Sequence, residues 1–180
     1  MSRAFIIALP EETDYINTIK SDMIFYSGVG KINAAITACK IIELGYTEII
    51  NIGSCGSLKH SPGSVVKIGN VYQDIDIRPL REYGFTFNEQ YKNIQIDDTN
   101  ISCFTTDYFV DLDHKEKYSK EYLKMINDCD VFDMECFAIA KVCDVYKIKF
   151  RSYKWISDNG SGSDWKENCK IGLNSVLNLL

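Results

Sequence analysis

Residues 31–57 read KINAAITACKIIELGYTEIINIGSCGS. The first half has apolar residues at Ile32, Ala35, Ile36, Cys39 and Ile42, spaced i, i+3, i+4, i+7 and i+10, so it predicts a helix over 31–44 with one apolar face. Gly45 supplies the stop. Residues 48–52 then read as a buried strand, and Gly53-Ser54-Cys55-Gly56-Ser57 as a loop of small residues after it. Helix, strand and small-residue loop in this order form the repeating unit of an α/β sheet, and the neighbouring segments extend it. Strands are predicted at 4–9, 23–26, 64–77 (with a kink at Gly69), 101–104 and 150–156, and 131–133 reads only as short and apolar. Helices are predicted at 11–20, within 110–128, at 134–146 and at 165–180, and 78–95 reads as irregular. The expectation is a single domain over 1–180, a three-layer α/β/α fold with a mixed, largely parallel central sheet. In such sheets ligands sit at the carboxyl ends of the strands. Residues 53–57, 105–107 and 157–159 fall there.

Composition narrows the possible functions. The chain has 180 residues, 46% of them hydrophobic and 25% charged, close to an ordinary globular domain. Its net charge of −5 and lack of a basic block argue against a nucleic-acid partner. No apolar run reaches the roughly 18–20 residues of a membrane span. The opening residues lead into a first strand with no cleavage-site pattern, so they read as fold and not as a leader. Seven cysteines, an odd number without a CxxC pair, suggest buried reduced thiols and a cytoplasmic setting. Neither His60 nor His114 has a partner at a spacing that suggests catalysis or a metal site, and no metal or organic cofactor is expected.

Acid–base chemistry therefore falls to carboxylates. Glu135 lies at the start of a predicted apolar helix, where a carboxylate needs a helix terminus or a bound group to justify its burial. Asp158 follows a buried strand, where α/β enzymes place chemistry, although a loop or cap aspartate fits the same position. Glu11 and Glu12 follow the first strand and could equally serve as first-turn charge for a helix. Gly28-Val29-Gly30-Lys31 looks like a nucleotide loop but lacks the third glycine of a dinucleotide fingerprint and the Ser/Thr of a P-loop. It reads as a tight strand-to-helix turn.

Together, Ala8-Leu9-Pro10-Glu11-Glu12, the segment 27–35, Asn51-Ile52-Gly53-Ser54-Cys55-Gly56, and Val131-Phe132-Asp133-Met134-Glu135 with Ile156-Ser157-Asp158 resemble one family in its own order. This is the nucleoside phosphorylase/nucleosidase superfamily, and within it the 5′-methylthioadenosine/S-adenosylhomocysteine nucleosidases. The resemblance implies a homodimer and a small-molecule nucleoside substrate. It implies hydrolysis of an N-glycosidic bond, with Asp158 as the acid at purine N7 and Glu12 as the base that activates water. Glu135 would bind the ribose hydroxyls, Met134 would pack on the sugar, and Ser54, Cys55 and Gly56 would form the ligand loop. Phe109 and Val110 would hold the base, and Trp165 would stand beside the 5′ substituent. Asp133 and Lys154 occupy places where the nucleosidases usually carry Glu and Arg, and Ser57 replaces a second glycine.

Phosphorylases of the superfamily hold phosphate with arginines in the first-strand turn and before the glycine-rich loop. The corresponding residues here are Leu9-Pro10-Glu11-Glu12 and Asn51, so water is the expected nucleophile. A phosphorylase, or a non-catalytic nucleoside-binding relative, is the alternative.

Overall fold

The computed structural model describes residues 2–13, 23–85 and 92–180. Among these, nine strands form one sheet. They are β1 (Arg3–Ile7), β2 (Ile24–Tyr26), β3 (Glu48–Gly56), β4 (Val65–Lys67), β5 (Asn70–Gln73), β6 (Ile94–Gln95), β7 (Ser102–Thr105), β8 (Val131–Asp133) and β9 (Lys149–Asp158). The main order is β2-β1-β3-β8-β7-β5-β6, with β9 paired to both β3 and β4. Five pairings are parallel (β1–β2, β1–β3, β3–β9, β5–β7, β7–β8) and three antiparallel. The fold is thus α/β with a mixed, largely parallel sheet, as expected.

The pleat sorts side chains into layers. In β1, Ala4 and Ile6 face the core shared with α1 (Lys31–Glu43) and α3 (Cys136–Tyr146), while Phe5 and Ile7 face the opposite core with α5 (Leu173–Leu177). A third cluster places Tyr122, Met125 and Ile126 of α2 (Lys120–Asp128) against Phe104 and Phe132.

Four readings are corrected. The buried stripe of α1 is Ala34, Ala38 and Ile41, whereas Ile32 and Ile36 are 77% and 50% exposed. Two alanines and Ile41 form the face of α1 that packs on α3 and the sheet, and Ile32 and Ile36 turn outward. The stretch 53–56 is not a loop: it continues β3 along β9, with a shift of register between Cys55 and Gly56, and Gly56 pairs with Phe132. A Cβ at Gly56 would lie 2.0 Å from the Phe132 ring, so glycine there lets two strands pass face to ring. The closing helix breaks into α4 (Gly162–Asn168) and α5, and at the break Gly172 packs so tightly on Trp155 that a Cβ would sit 2.0 Å from the indole-bearing carbon. Where a helix was expected at 11–20, residues 11 and 12 lie in a 3-10 turn, Pro10–Glu12, that ends at Thr13, and residues 14–20 lie outside the described residues.

Strand 64–77 divides into β4 and β5 at Gly69, the expected kink. The segment 110–128 divides into a 3-10 stretch, Leu112–Lys117, and α2. All seven cysteines are free, and six are buried. No described helix is long and apolar enough to cross a membrane.

Candidate active site

The long parallel pair β3–β9 fixes the site. Their register aligns Ser54 with Trp155 and Gly56 with Asp158, which brings the small-residue end of β3 and the acidic end of β9 to the same edge. β1 delivers its own carboxyl end beside them, and Pro10–Glu12 turns Glu12 back over β3. The result is a cleft with a volume of about 160 Å³. Every residue assigned a role from the sequence lines it: Glu12, Ser54, Cys55, Gly56, Phe109, Val110, Met134, Glu135, Asp158 and Trp165. His60 and His114 do not line it.

Glu12 is 3% exposed and its carboxylate is anchored at both oxygens. Oε1 accepts the Ser54 backbone N–H and the Ser54 hydroxyl, each at 2.7 Å, and Oε2 accepts the Leu9 N–H at 3.2 Å. Gly53 matters here because a Cβ at that position would lie 3.3 Å from Glu12 Oε1 and 3.5 Å from Lys154 Nζ.

Asp158 is buried and accepts the Ser157 hydroxyl at 2.8 Å and the Gly160 N–H at 2.9 Å. Burial pushes its carboxyl above the ordinary aspartate range. The Ser157 hydroxyl and the backbone N–H groups of Gly160 and Ser161 oppose the shift, and the Asp164 charge adds to it. A carboxyl so placed is suited to carrying a proton.

Glu135 is not inside the helix as predicted but at the residue before α3, with φ −133° and ψ −35°. Its Oε1 accepts the Gly30 N–H at 2.9 Å, which ties it to the turn preceding α1. Burial pushes its carboxyl from 4.5 up to about 7. The Lys154 charge and the Gly30 N–H oppose the shift, and the Asp133 and Glu12 charges add to it. An acid whose pKa rises on folding gives stability that is full below its unfolded pKa and is lost as pH climbs through the folded one. Wild-type stability should therefore fall between pH 4.5 and about 7 by an amount on the order of a few kcal/mol. Glu135→Gln should remove that portion of the slope in chemical denaturation. Parallel slopes for the two proteins would refute the assignment.

The sequence also left unread a buried ion pair beneath the cleft. Lys154 is 1% exposed and its Nζ lies 2.9 Å from Asp133 Oδ2. Asp133 also accepts the Thr105 hydroxyl at 2.7 Å and the Cys136 N–H at 2.9 Å. Burial would raise the Asp133 carboxyl, but the Lys154 charge and these hydrogen bonds hold it below the ordinary aspartate range. Cys103, Asp133 and Cys136 lie close enough to form a metal-ligand set, yet the Lys154 ammonium already provides the positive charge at Asp133. Val29 and Thr106, each within a segment marked in the sequence but given no role, also line the cleft, as does Tyr108, which no motif marks. The arginines lie elsewhere: Arg3 and Arg151 pair with Glu48 at the opposite end of β3, and Arg78 pairs with Asp76 and Glu121.

Comparison with known proteins gives a consistent result. The family model described as Phosphorylase superfamily matches residues 15–180. A curated 5′-methylthioadenosine/S-adenosylhomocysteine nucleosidase from Buchnera aphidicola subsp. Schizaphis graminum is 30% identical over 185 residues, covering 87% of this chain and 77% of its own. Among solved structures, a futalosine hydrolase of Helicobacter pylori superposes with a TM-score of 0.81 at 18% identity, covering 99% of this chain and 98% of that one. A Helicobacter pylori MTAN mutant with 5′-methylthioadenosine in its active site also gives 0.81, at 17% identity and 99% coverage of each chain.

Proposed function

Because the chain belongs to the phosphorylase superfamily, we propose that its cleft hydrolyses the N-glycosidic bond of an adenosine-type nucleoside such as 5′-methylthioadenosine or S-adenosylhomocysteine. The curated relatives are nucleosidases, that is, N-glycosyl hydrolases, and this chain is an enzyme of the same class. One observation carries the reading of the site: Glu12, Glu135 and Asp158 line one cleft, and no Lys, Arg or His among the described residues lines it with them.

A purine leaves poorly as an anion, so proton donation to N7 by Asp158 lowers the barrier to departure. The ribosyl fragment becomes oxocarbenium-like, and the Glu12 carboxylate stabilises it. Glu12 accepts a proton from water as the water attacks the anomeric carbon. Glu135 and Met134 hold the sugar, Ser54, Cys55 and Gly56 support the ligand from β3, and Phe109 and Val110 flank the base. Trp165 closes the cleft toward the 5′ substituent. A phosphate nucleophile would need a cationic fork. Lys154, the nearest buried cation, is engaged by Asp133.

The same reading takes 1–180 as one domain working in the cytoplasm as a homodimer. The outward face of α1 with Ile32 and Ile36, beside cleft residue Val29, is the surface offered to a second copy.

The test is to incubate the protein with a nucleoside panel, with and without phosphate, and to separate the products by chromatography. Adenine and a free pentose should appear in phosphate-free buffer. Strict dependence on phosphate, with a pentose-1-phosphate product, would overturn hydrolysis in favour of phosphorolysis. Binding without turnover would point to a non-catalytic relative.

A further inference from the structure

Trp165 lies on α4, the short helix that follows the Asp158 loop, and was expected only as an aromatic wall. It does pack edge-on against Phe109, with ring centroids 6.5 Å apart. Its indole, however, also makes a polar contact inside the cleft: Nε1–H donates to Ser54 Oγ at 3.0 Å. That same oxygen donates its own proton to Glu12 Oε1 at 2.7 Å.

The direction of this chain follows from the donor inventory. An indole N–H only donates, while a serine hydroxyl has one proton and rotates freely. With Trp165 occupying a lone pair of Oγ, the hydroxyl proton is turned toward Glu12. Oε1 then receives two hydrogen bonds, from the Ser54 N–H and the Ser54 hydroxyl. Oε2 receives only the Leu9 N–H, at a longer 3.2 Å. The two carboxylate oxygens are thereby made unequal: one is held twice as an anchor, and the other, with a single longer hydrogen bond, keeps acceptor capacity.

The geometry points to Trp165 as a positioning residue that acts through the Ser54 hydroxyl to orient Glu12, so that the docking of α4 and the aim of the carboxylate that activates water are linked by one hydrogen-bonded chain. This rests on the proposed role of Glu12 in nucleoside hydrolysis. No bond is made or broken in the chain itself, and the only proton Glu12 takes up is the one it accepts from water.

Trp165→Phe keeps an aromatic ring and removes the N–H. It should lower kcat about fivefold, the scale of one lost neutral hydrogen bond, while KM stays within about twofold. In a Ser54→Ala background the same change should cost nothing further in kcat, because the link is already cut. A second readout does not depend on turnover. Trp155 and Trp165 are the two tryptophans, so a ¹⁵N-labelled sample gives two indole N–H resonances, and Trp165→Phe identifies one by deleting it. That resonance should shift upfield in Ser54→Ala, while the Trp155 signal, from a buried indole nitrogen without a partner, stays in place. An unmoved Trp165 resonance, a rise in KM with kcat unchanged, or the full loss persisting in Ser54→Ala would each overturn the positioning role. If Trp165→Phe fails to fold, the Ser54→Ala spectrum decides alone. Absence of nucleoside hydrolysis by the wild type would instead overturn the proposed function, and the resonance would still test the hydrogen-bonded chain.

Discussion

Asp158→Asn should reduce kcat by about 10²–10⁴-fold while the protein stays folded. The carboxamide is nearly the same shape, and its oxygen can still accept the Gly160 N–H that Asp158 Oδ1 accepts at 2.9 Å. Its amino group would face the Ser157 hydroxyl, which can accept that donor and direct its own proton to the Cys55 carbonyl, 3.1 Å away. Packing and hydrogen bonding are therefore preserved, and what is lost is the ability to hold a proton that can be transferred to the departing base. Burial favours that proton in the native enzyme, so the wild-type rate should also decline as pH rises above the elevated Asp158 pKa. Steady-state adenine release, with a thermal melt on the same sample, checks both halves. A melt close to wild type with an unchanged kcat would remove Asp158 from the role of acid.

The second large effect is expected at Glu12. Glu12→Gln should lower kcat by about 10²–10³-fold with nucleoside affinity largely retained. A glutamine oxygen can still accept both Ser54 hydrogen bonds, but its amino group then opposes the Leu9 N–H, donor against donor. That repulsion is a modest cost at the edge of the cleft. The chemical loss is larger, because an amide cannot take a proton from water. Calorimetric binding of a non-hydrolysable nucleoside analogue, compared with single-turnover rates, separates the two contributions. A variant that binds weakly and turns over normally would show that Glu12 holds substrate and does not activate water.

Much of the fold could be read along the chain because hydrophobic patterning is local. The alternation of apolar strands with helices marked the α/β class, and Gly45, at φ +87°, ended α1 where expected. The errors have a shared cause. Period-3.6 patterning in α1 identified Ile32 and Ile36 as core, but which stripe of a helix is buried depends on how near its neighbour must come. The alanine stripe was chosen by contact with α3, which the helix sequence does not encode by itself. Likewise, Gly53 and Gly56 read as loop residues by propensity, yet strand pairing with β9 extends β3 through both. Tertiary pairing overrode local preference because the ladder with β9, joined by β8 at Gly56, supplies backbone hydrogen bonds that an isolated glycine segment would leave to water.

Residue type marked Glu135 and Asp158 as candidates and left Glu11 and Glu12 alike as first-turn charge; the resemblance to a known family singled out Glu12 and gave the three carboxylates their roles. The sequence did not contain the connections among them: Gly30 donating to Glu135 across 105 residues, Lys154 neutralising Asp133 below the cleft, and Trp165 reaching Ser54 across 111 residues. Local spacing can specify which chemical groups a chain carries and which elements carry them. Which lone pair faces which donor is set by the register of β3 on β9 and by the docking of α4. Hydrogen bonds are sensitive to tenths of an ångström, and only the folded chain brings distant residues to that precision.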